Sequence, residues 1–306
     1  MSLREWGQPW GETAWVDRRA FLIGAGAVLL AGCARAEPGP ASPSPTPSPS
    51  VAPLTIAVES STTGAILGAV LVGALAKLGS AATVQPSPVD WLAGLGAGTL
   101  VAAPVWATTV WAGLSDAEEL PEDVLAELAG LVEPTVSLMT PGLVDGGLVW
   151  MVAASTGIKS MEDLSAYSQG KGAAVPAMAI ERSDGVAALN AIYRTNFGTL
   201  SQEDPGVRAQ WLLGGQAGIG AFRRTDNLGV TGLVELIDPD QMCQADPLAL
   251  LVNAAFVEQR PDQALAMNAV IQALTNTELI ALQQQVAQGG QLTEIARAWL
   301  QPRGLG

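Results

Sequence analysis

The chain has 306 residues, a formal net charge of −14, 49% hydrophobic residues and 14% charged ones. Such acidity, with Lys77, Lys159 and Lys171 as the lysines, argues against nucleic acid as a partner, because phosphate binding needs clustered Lys and Arg. There is no histidine, which excludes Ser-His-Asp and Cys-His catalysis and every His-based metal site; no enzyme, cofactor or metal motif stands in their place.

Taken in order, the chain opens with a segment that sets its compartment. Arg18-Arg19 is a twin arginine, followed by an apolar run broken by small residues that ends in Leu30-Ala31-Gly32-Cys33. A charged start, a short apolar middle and small residues at a cut site make a secretory signal over 1–32. The twin arginine points to the export route for folded cargo. Leu-Ala-Gly-Cys is the box at which a lipoprotein is cleaved, with lipid placed on the Cys33 sulfur. A membrane-spanning helix is the competing reading, but the run is about half of the ~20 residues a span needs. Residues 34–53 alternate Pro with Ser, Ala and Thr; they have no apolar face and read as an extended tether. The leader's three arginines and three acids cancel, so its removal leaves the charge unchanged. With Cys33 lipidated, Cys243 has no partner and reads as a small buried residue.

The folded body starts at 54. Residues 54–58 read as a buried strand, 59–64 as a hydroxyl-rich loop and 65–78 as an apolar helix stopped by Gly79. A strand-loop-helix of this kind opens an α/β unit, and the loop at the strand's carboxyl end is where such folds bind ligands. Strands are expected near 82–84, 99–103, 148–153, 173–177, 216–222, 233–237 and 248–252. Helices are expected near 90–96, 121–131, 160–164, 184–197, 207–213, 261–274, 278–288 and 292–300. Strands alternating with helices mean an α/β architecture. The Gly/Pro-bearing loop 138–147 and the Asp/Pro-rich loop 238–247 read as two crossings between lobes, giving 54–140 plus 241–306 as lobe 1 and 141–240 as lobe 2. One continuous domain with breaker-rich loops is the other possibility.

Residues spread over most of this body carry a resemblance. They are Thr55–Gly68 (TIAVESSTTGAILG), Gly157-Ile158-Lys159 through Asp163-Leu164, Arg182-Ser183-Asp184-Gly185 with Leu189, Tyr193 and Phe197, Gly218–Phe222 followed by Thr225-Asp226, and the helical tail closing at Gly304-Leu305. In order and spacing they resemble the glycine betaine/choline/carnitine binding proteins of ABC importers. The resemblance implies a two-lobed periplasmic-binding-protein-like (type II) fold. It also implies a small-molecule solute held between the lobes, an ABC permease in the membrane as partner, no cofactor, and a monomer. That family holds a quaternary ammonium in a cage of tyrosines by cation–π attraction. This chain has two tyrosines, Tyr167 and Tyr193, and at the cage positions it places Trp106, Leu148, Val186 and Leu248.

The candidate ligand-binding residues are Ser60, Ser61, Thr62, Trp106, Asp145, Thr225 and Asp226. Each has a plainer reading: Ser60, Ser61 and Thr62 as helix caps, Trp106 as core, Asp145 as a turn former, and Thr225 and Asp226 as a strand-end loop. Arg223 and Arg224 read either as a carboxylate clamp or as surface charges, and Arg182 either as holding the lobe-closing loop through Asp184 or a ligand carboxylate, or as a structural ion pair. Two functions follow. The first is a lipid-anchored solute-binding protein, marked by a polar cleft with Trp106 on one wall. The second is a surface interaction or sensory module of the same fold, marked by a cleft lined with Leu148, Val186 and Leu248.

Overall fold

The structure, a computed structural model, describes residues 53–117 and 120–306. The twin arginine Arg18-Arg19, the lipid box at Cys33 and the tether up to residue 52 lie outside the described residues.

The described residues form two mixed sheets, each layered with helices. In chain order the strands are β1 (Leu54–Val58), β2 (Ala82–Pro86), β3 (Ala102–Trp106), β4 (Val136–Leu138), β5 (Leu148–Ala153), β6 (Gly172–Val175), β7 (Gly198–Ser201), β8 (Ile219–Arg223), β9 (Leu233–Glu235) and β10 (Leu248–Asn253). The first sheet has the order β2-β1-β3-β10-β4 and the second β7-β6-β8-β5-β9. In each, parallel strands joined through helices meet an antiparallel strand that returns from the other side: β10 against β3 and β4, and β5 against β8 and β9. The chain passes from the first sheet to the second between β4 and β5, and returns between β9 and β10. These crossings touch each other. Asp145 bridges Pro247, Gly146 N–H donates to the Asp246 carbonyl at 2.9 Å, and Asp246 N–H donates to Asp145 Oδ1 at 2.8 Å.

The helix Thr62–Lys77 is apolar on almost every side because it is covered on almost every side. It packs on β1 and β2 and against the tail helices Pro261–Ala273, Asn276–Ala287 and Leu292–Leu300. Ile66, Val70, Leu71 and Leu75 join Met267, Val270, Ile271 and Leu300 in one core. The helix begins three residues before the sequence expectation because Ser61 caps it, accepting from Gly64 N–H at 3.0 Å. The tail helix Asn276–Ala287 has a full capping box, in which Thr275 and Glu278 satisfy each other's backbone. A second core under the other sheet gathers Trp150, Met161, Leu164, Leu189, Tyr193, Phe197 and Ile219.

Two expectations change. The strand expected to stop at Pro104 runs on to Trp106. Leu250, opposite Pro104, turns its carbonyl to Met139, so Pro104 faces β10 where no N–H is needed. The helix expected over 184–197 is shorter, Val186–Ile192. Arg194 takes a positive φ of 51°, and Asn190 Oδ1 draws back the Phe197 amide at 3.0 Å.

Candidate functional site

Between the two sheets lies a cleft of about 540 Å³, walled from both sides. The first wall begins where β1 ends. Glu59, Ser60 and Ser61 turn tightly into the helix Thr62–Lys77. The turn requires glycine at 64, because a Cβ there would come within 2.0 Å of the Glu59 carbonyl oxygen. Ser60, Ser61, Thr62 and Thr63 all face the cleft. Ser61 Oγ also donates to Glu59 Oε2 at 3.2 Å, so part of its hydrogen-bonding capacity is spent on the cap itself.

The opposite wall is built on the helix Pro205–Leu213 and the end of β8. Asp204 caps that helix, accepting from Val207 N–H at 3.0 Å, with Pro205 in the first turn. Arg208 turns inward and is almost wholly buried. Its guanidinium donates to the carbonyls of Gln202 (2.6 Å), Glu203 (2.7 Å) and Ala221 (3.1 Å) and to Asp226 Oδ2 (3.3 Å). Arg208 therefore braces the wall and fixes Asp226. Asp226 also accepts from Arg223 N–H at 3.0 Å. Burial pushes the Asp226 carboxyl above its usual range, against the pull of the Arg223 amide and the Arg208 guanidinium.

Gln283, from the tail helix Asn276–Ala287, lines the cleft between the walls. Its Nε2 donates to Thr63 Oγ1 (3.2 Å) and to the Thr225 carbonyl (2.8 Å), and its Oε1 accepts from Asn227 N–H (3.2 Å). One side chain thus ties the first wall to the second.

Trp106, at the tip of β3 and 7% exposed, lines the cleft as well. The Arg223 guanidinium carbon sits 4.9 Å from a ring centroid of the indole. Arg223 Nη1 also donates to the Gly146 carbonyl (3.1 Å) and to Asp246 Oδ2 (3.3 Å). Asp246 is completely buried and surrounded by donors: the amides of Thr108 (2.8 Å) and Thr109 (3.2 Å), the Thr109 hydroxyl, Arg182 Nη1 (3.1 Å) and Arg223. Arg182 meets Asp184 in a two-point fork at 2.7 and 2.9 Å. A buried carboxylate is tolerated only when so paired. Arg182 accordingly makes the ion pair with Asp184 anticipated for it, and adds one not anticipated, tying its own lobe to Asp246.

Of the candidates, Ser60, Ser61, Thr62, Trp106 and Asp226 are brought together on the cleft. Thr225 is 1% exposed and contributes its carbonyl to Gln283 rather than a side chain to the cleft. Asp145 lies in the crossing, where its Oδ1 accepts from Gly147 N–H and Asp246 N–H, both at 2.8 Å, and its Oδ2 pairs with Arg224 at 3.3 Å. Leu148 and Val186 belong to the core under the second sheet and Leu248 to that under the first; none lines the cleft. Reading the sequence missed Glu59, Thr63, Glu203, Asp204, Arg208, Asn227 and Gln283 as lining residues. Asp204-Pro205 is the one local signal among them, a cap followed by a first-turn proline. Cys243 is half-buried rather than buried; burial, then Asp238, push its thiol above the usual range, which disfavours the thiolate that a nucleophile needs. Among the described residues, no group of three or more acidic, Cys or His side chains is placed to hold a metal ion.

Residues 52–302 match the family model described as the substrate-binding domain of ABC-type glycine betaine transport systems. Comparison with curated proteins gives no match. Among solved structures, the chain is similar to apo YehZ from Escherichia coli, with a TM-score of 0.62 at 21% identity, covering 84% of this chain and 100% of that one. A glycine betaine/carnitine/choline ABC transporter structure gives a TM-score of 0.67 at 15% identity, covering 82% and 99%. Lactococcal OpuAC, closed on glycine betaine, gives 0.62 at 12%, covering 82% and 96%. At these identities the three structures establish the two-lobed binding-protein fold.

Proposed function

Because the chain belongs to the substrate-binding domains of ABC-type glycine betaine transport systems, we propose that it is the lipid-anchored solute receptor of an ABC importer. It captures a small zwitterionic or cationic solute, of the size of glycine betaine or choline, and hands it to a membrane permease. The family's role is solute binding outside the cytoplasm, not catalysis. The lobes are taken as 54–140 with 241–306, and 141–240.

The observation that carries the reading is the cleft itself. It is small, lies between the two sheets, and joins hydroxyls at 60–63 on one wall to Asp204, Arg208 and Asp226 on the other, with Trp106 lining it as well. Convergent polar groups in a concave site of this size are what a solute needs. The rival reading, an interaction or sensory module, called for Leu148, Val186 and Leu248 on the cleft wall, and those side chains lie in the cores instead.

Anchoring rests on Leu30-Ala31-Gly32-Cys33, and export on Arg18-Arg19. A diacyl group on Cys33 supplies the two chains that stable membrane attachment needs. The Pro/Ser-rich segment after Cys33 gives the body reach from the surface.

The test is a thermal-shift panel of betaines, cholines, amino acids and small amines against the purified protein. At least one solute is expected to raise the melting temperature in a concentration-dependent way. No shift with any member overturns the reading.

A further inference from the structure

The ring of Trp106 is taken up by the protein's own groups. The indole is almost fully covered. Arg223 lies over it at 4.9 Å. Gly146 presses against its six-membered ring so closely that a Cβ would come within 2.5 Å of Cε3 and Cζ3. An aromatic face attracts one cation at a time, and here the cation is supplied by the protein.

Arg223 is also held in place. It donates to the Gly146 carbonyl and to Asp246, and Asp246 is pinned by two backbone amides and by Arg182. A solute cation taking the ring would have to push the guanidinium off three partners at once. A trimethylated ammonium is poorly equipped to do so. It has no N–H to donate, and ring faces are its natural partners. Among the described residues, Trp106 is the one aromatic residue lining the cleft. What remains for a cation are carboxylates: Glu59 on one wall and Glu203, Asp204 and Asp226 on the other. Carboxylates reward an ammonium that carries N–H groups, through short charge-assisted hydrogen bonds.

We infer that Arg223 is the specificity-determining residue of the cleft. It occupies the cation seat on Trp106 and turns selection away from fully methylated ammonium solutes, towards those whose ammonium keeps N–H donors. The inference rests on the solute-binding reading above.

Calorimetric titration with two matched pairs tests it: choline against ethanolamine, and glycine betaine against glycine. The wild-type protein is expected to bind the N–H member of at least one pair at least tenfold more tightly than its methylated counterpart. Arg223→Gln is expected to shift that ratio about tenfold towards the methylated member, and adding Trp106→Leu is expected to remove the shift. Asp246 keeps Arg182 and its amide donors in Arg223→Gln, so folding is expected to persist. If it does not, Arg223→Lys retains the charge while withdrawing the planar guanidinium from the ring, and is expected to move the ratio the same way by a smaller factor. A wild-type preference for the methylated member, or a ratio unchanged in a folded Arg223 variant while binding itself persists, overturns the role of Arg223 and leaves the solute-binding reading standing. Binding of no solute by either protein overturns both.

Discussion

Asp246 caps the helix Ala107–Leu114 from 138 residues away, its Oδ1 accepting the Thr108 amide at 2.8 Å. Trp106, the residue in the local cap position, offers no side-chain hydrogen bond. The cap therefore comes from the returning crossing, and the same carboxylate takes Arg182 and Arg223 from the other lobe. One buried group orients a helix in the first lobe and ties the second lobe to it.

Asp246→Ala removes the cap and leaves two largely buried guanidinium groups short of a negative charge. Breaking a buried ion pair by deleting one partner costs about 3–5 kcal/mol. Asp246→Asn keeps an acceptor for Thr108 and is expected to cost less. Denaturant melts of the two variants measure the difference; a wild-type midpoint for Asp246→Ala would show that the network contributes nothing net.

Gly146→Ala is expected to be destabilising by about 1–3 kcal/mol, the range for forcing a methyl group into a packed interior. The obstacle is the rigid Trp106 ring, which cannot fold out of the way. Gly113→Ala is the control: nothing lies within 4 Å of its would-be Cβ, it sits in the helix Ala107–Leu114, and alanine favours helix. Equal melting temperatures for the two alanine variants would rule out the close approach at Gly146.

Gln283 is a second clamp between the walls. Gln283→Ala deletes its links to Thr63, Thr225 and Asn227. Solution scattering is expected to give a larger radius of gyration for the variant than for wild type without solute, and affinity is expected to fall several-fold because closure must then be driven by the solute alone. An unchanged radius and unchanged affinity would mean that the walls are held together elsewhere.

Much of the fold is legible in the sequence because its signals are local. The strand-loop-helix at 54–77, the capped tail helices and the alternation of strands with helices each depend on neighbours within a few residues. The helix Ala107–Leu114 escapes such reading. Its first turn carries β-branched Thr108, Thr109 and Val110, and its cap lies beyond β9. The site is partly legible for the same reason. Ser60, Ser61 and Thr62 follow a strand end, and Trp106 stands at another. That Arg223 would take the Trp106 ring depends on which strand tips the two crossings bring together, and no spacing along the chain encodes it.

Cys33→Ala removes the sulfur that the lipid would occupy. The protein is then expected to leave the membrane fraction and appear in the soluble extracytoplasmic or culture fraction at normal amounts. Arg18→Lys with Arg19→Lys is expected to block export of the folded body. Export at wild-type levels in that double variant would assign the leader to the general secretory route instead.

Two carboxyls couple stability to pH in opposite directions. Glu278 is held below the usual carboxylate range: burial opposes its charge, but hydrogen bonds from Thr275 and Arg303 and the nearby Arg303 charge outweigh it. A depressed folded value contributes stability above the unfolded pKa, and that contribution is lost as pH falls through the folded one. Asp226 does the reverse. Burial raises its carboxyl, so the folded state binds the proton more readily than the unfolded chain. Its contribution is complete below the ordinary value of 3.8 and declines as pH rises through the raised one. Asp226→Asn keeps an oxygen for the Arg223 amide and Arg208 while removing the charge. Whatever its net cost to the Arg208 pair, the variant's stability relative to wild type is expected to be higher at pH 7 than at pH 3.5, whereas Glu278→Gln is expected to cost stability at pH 7 and progressively less in acid. Melting temperatures of both variants across this range test the assignment, and parallel curves for Asp226→Asn and wild type would mean that the Asp226 carboxyl titrates at its ordinary value.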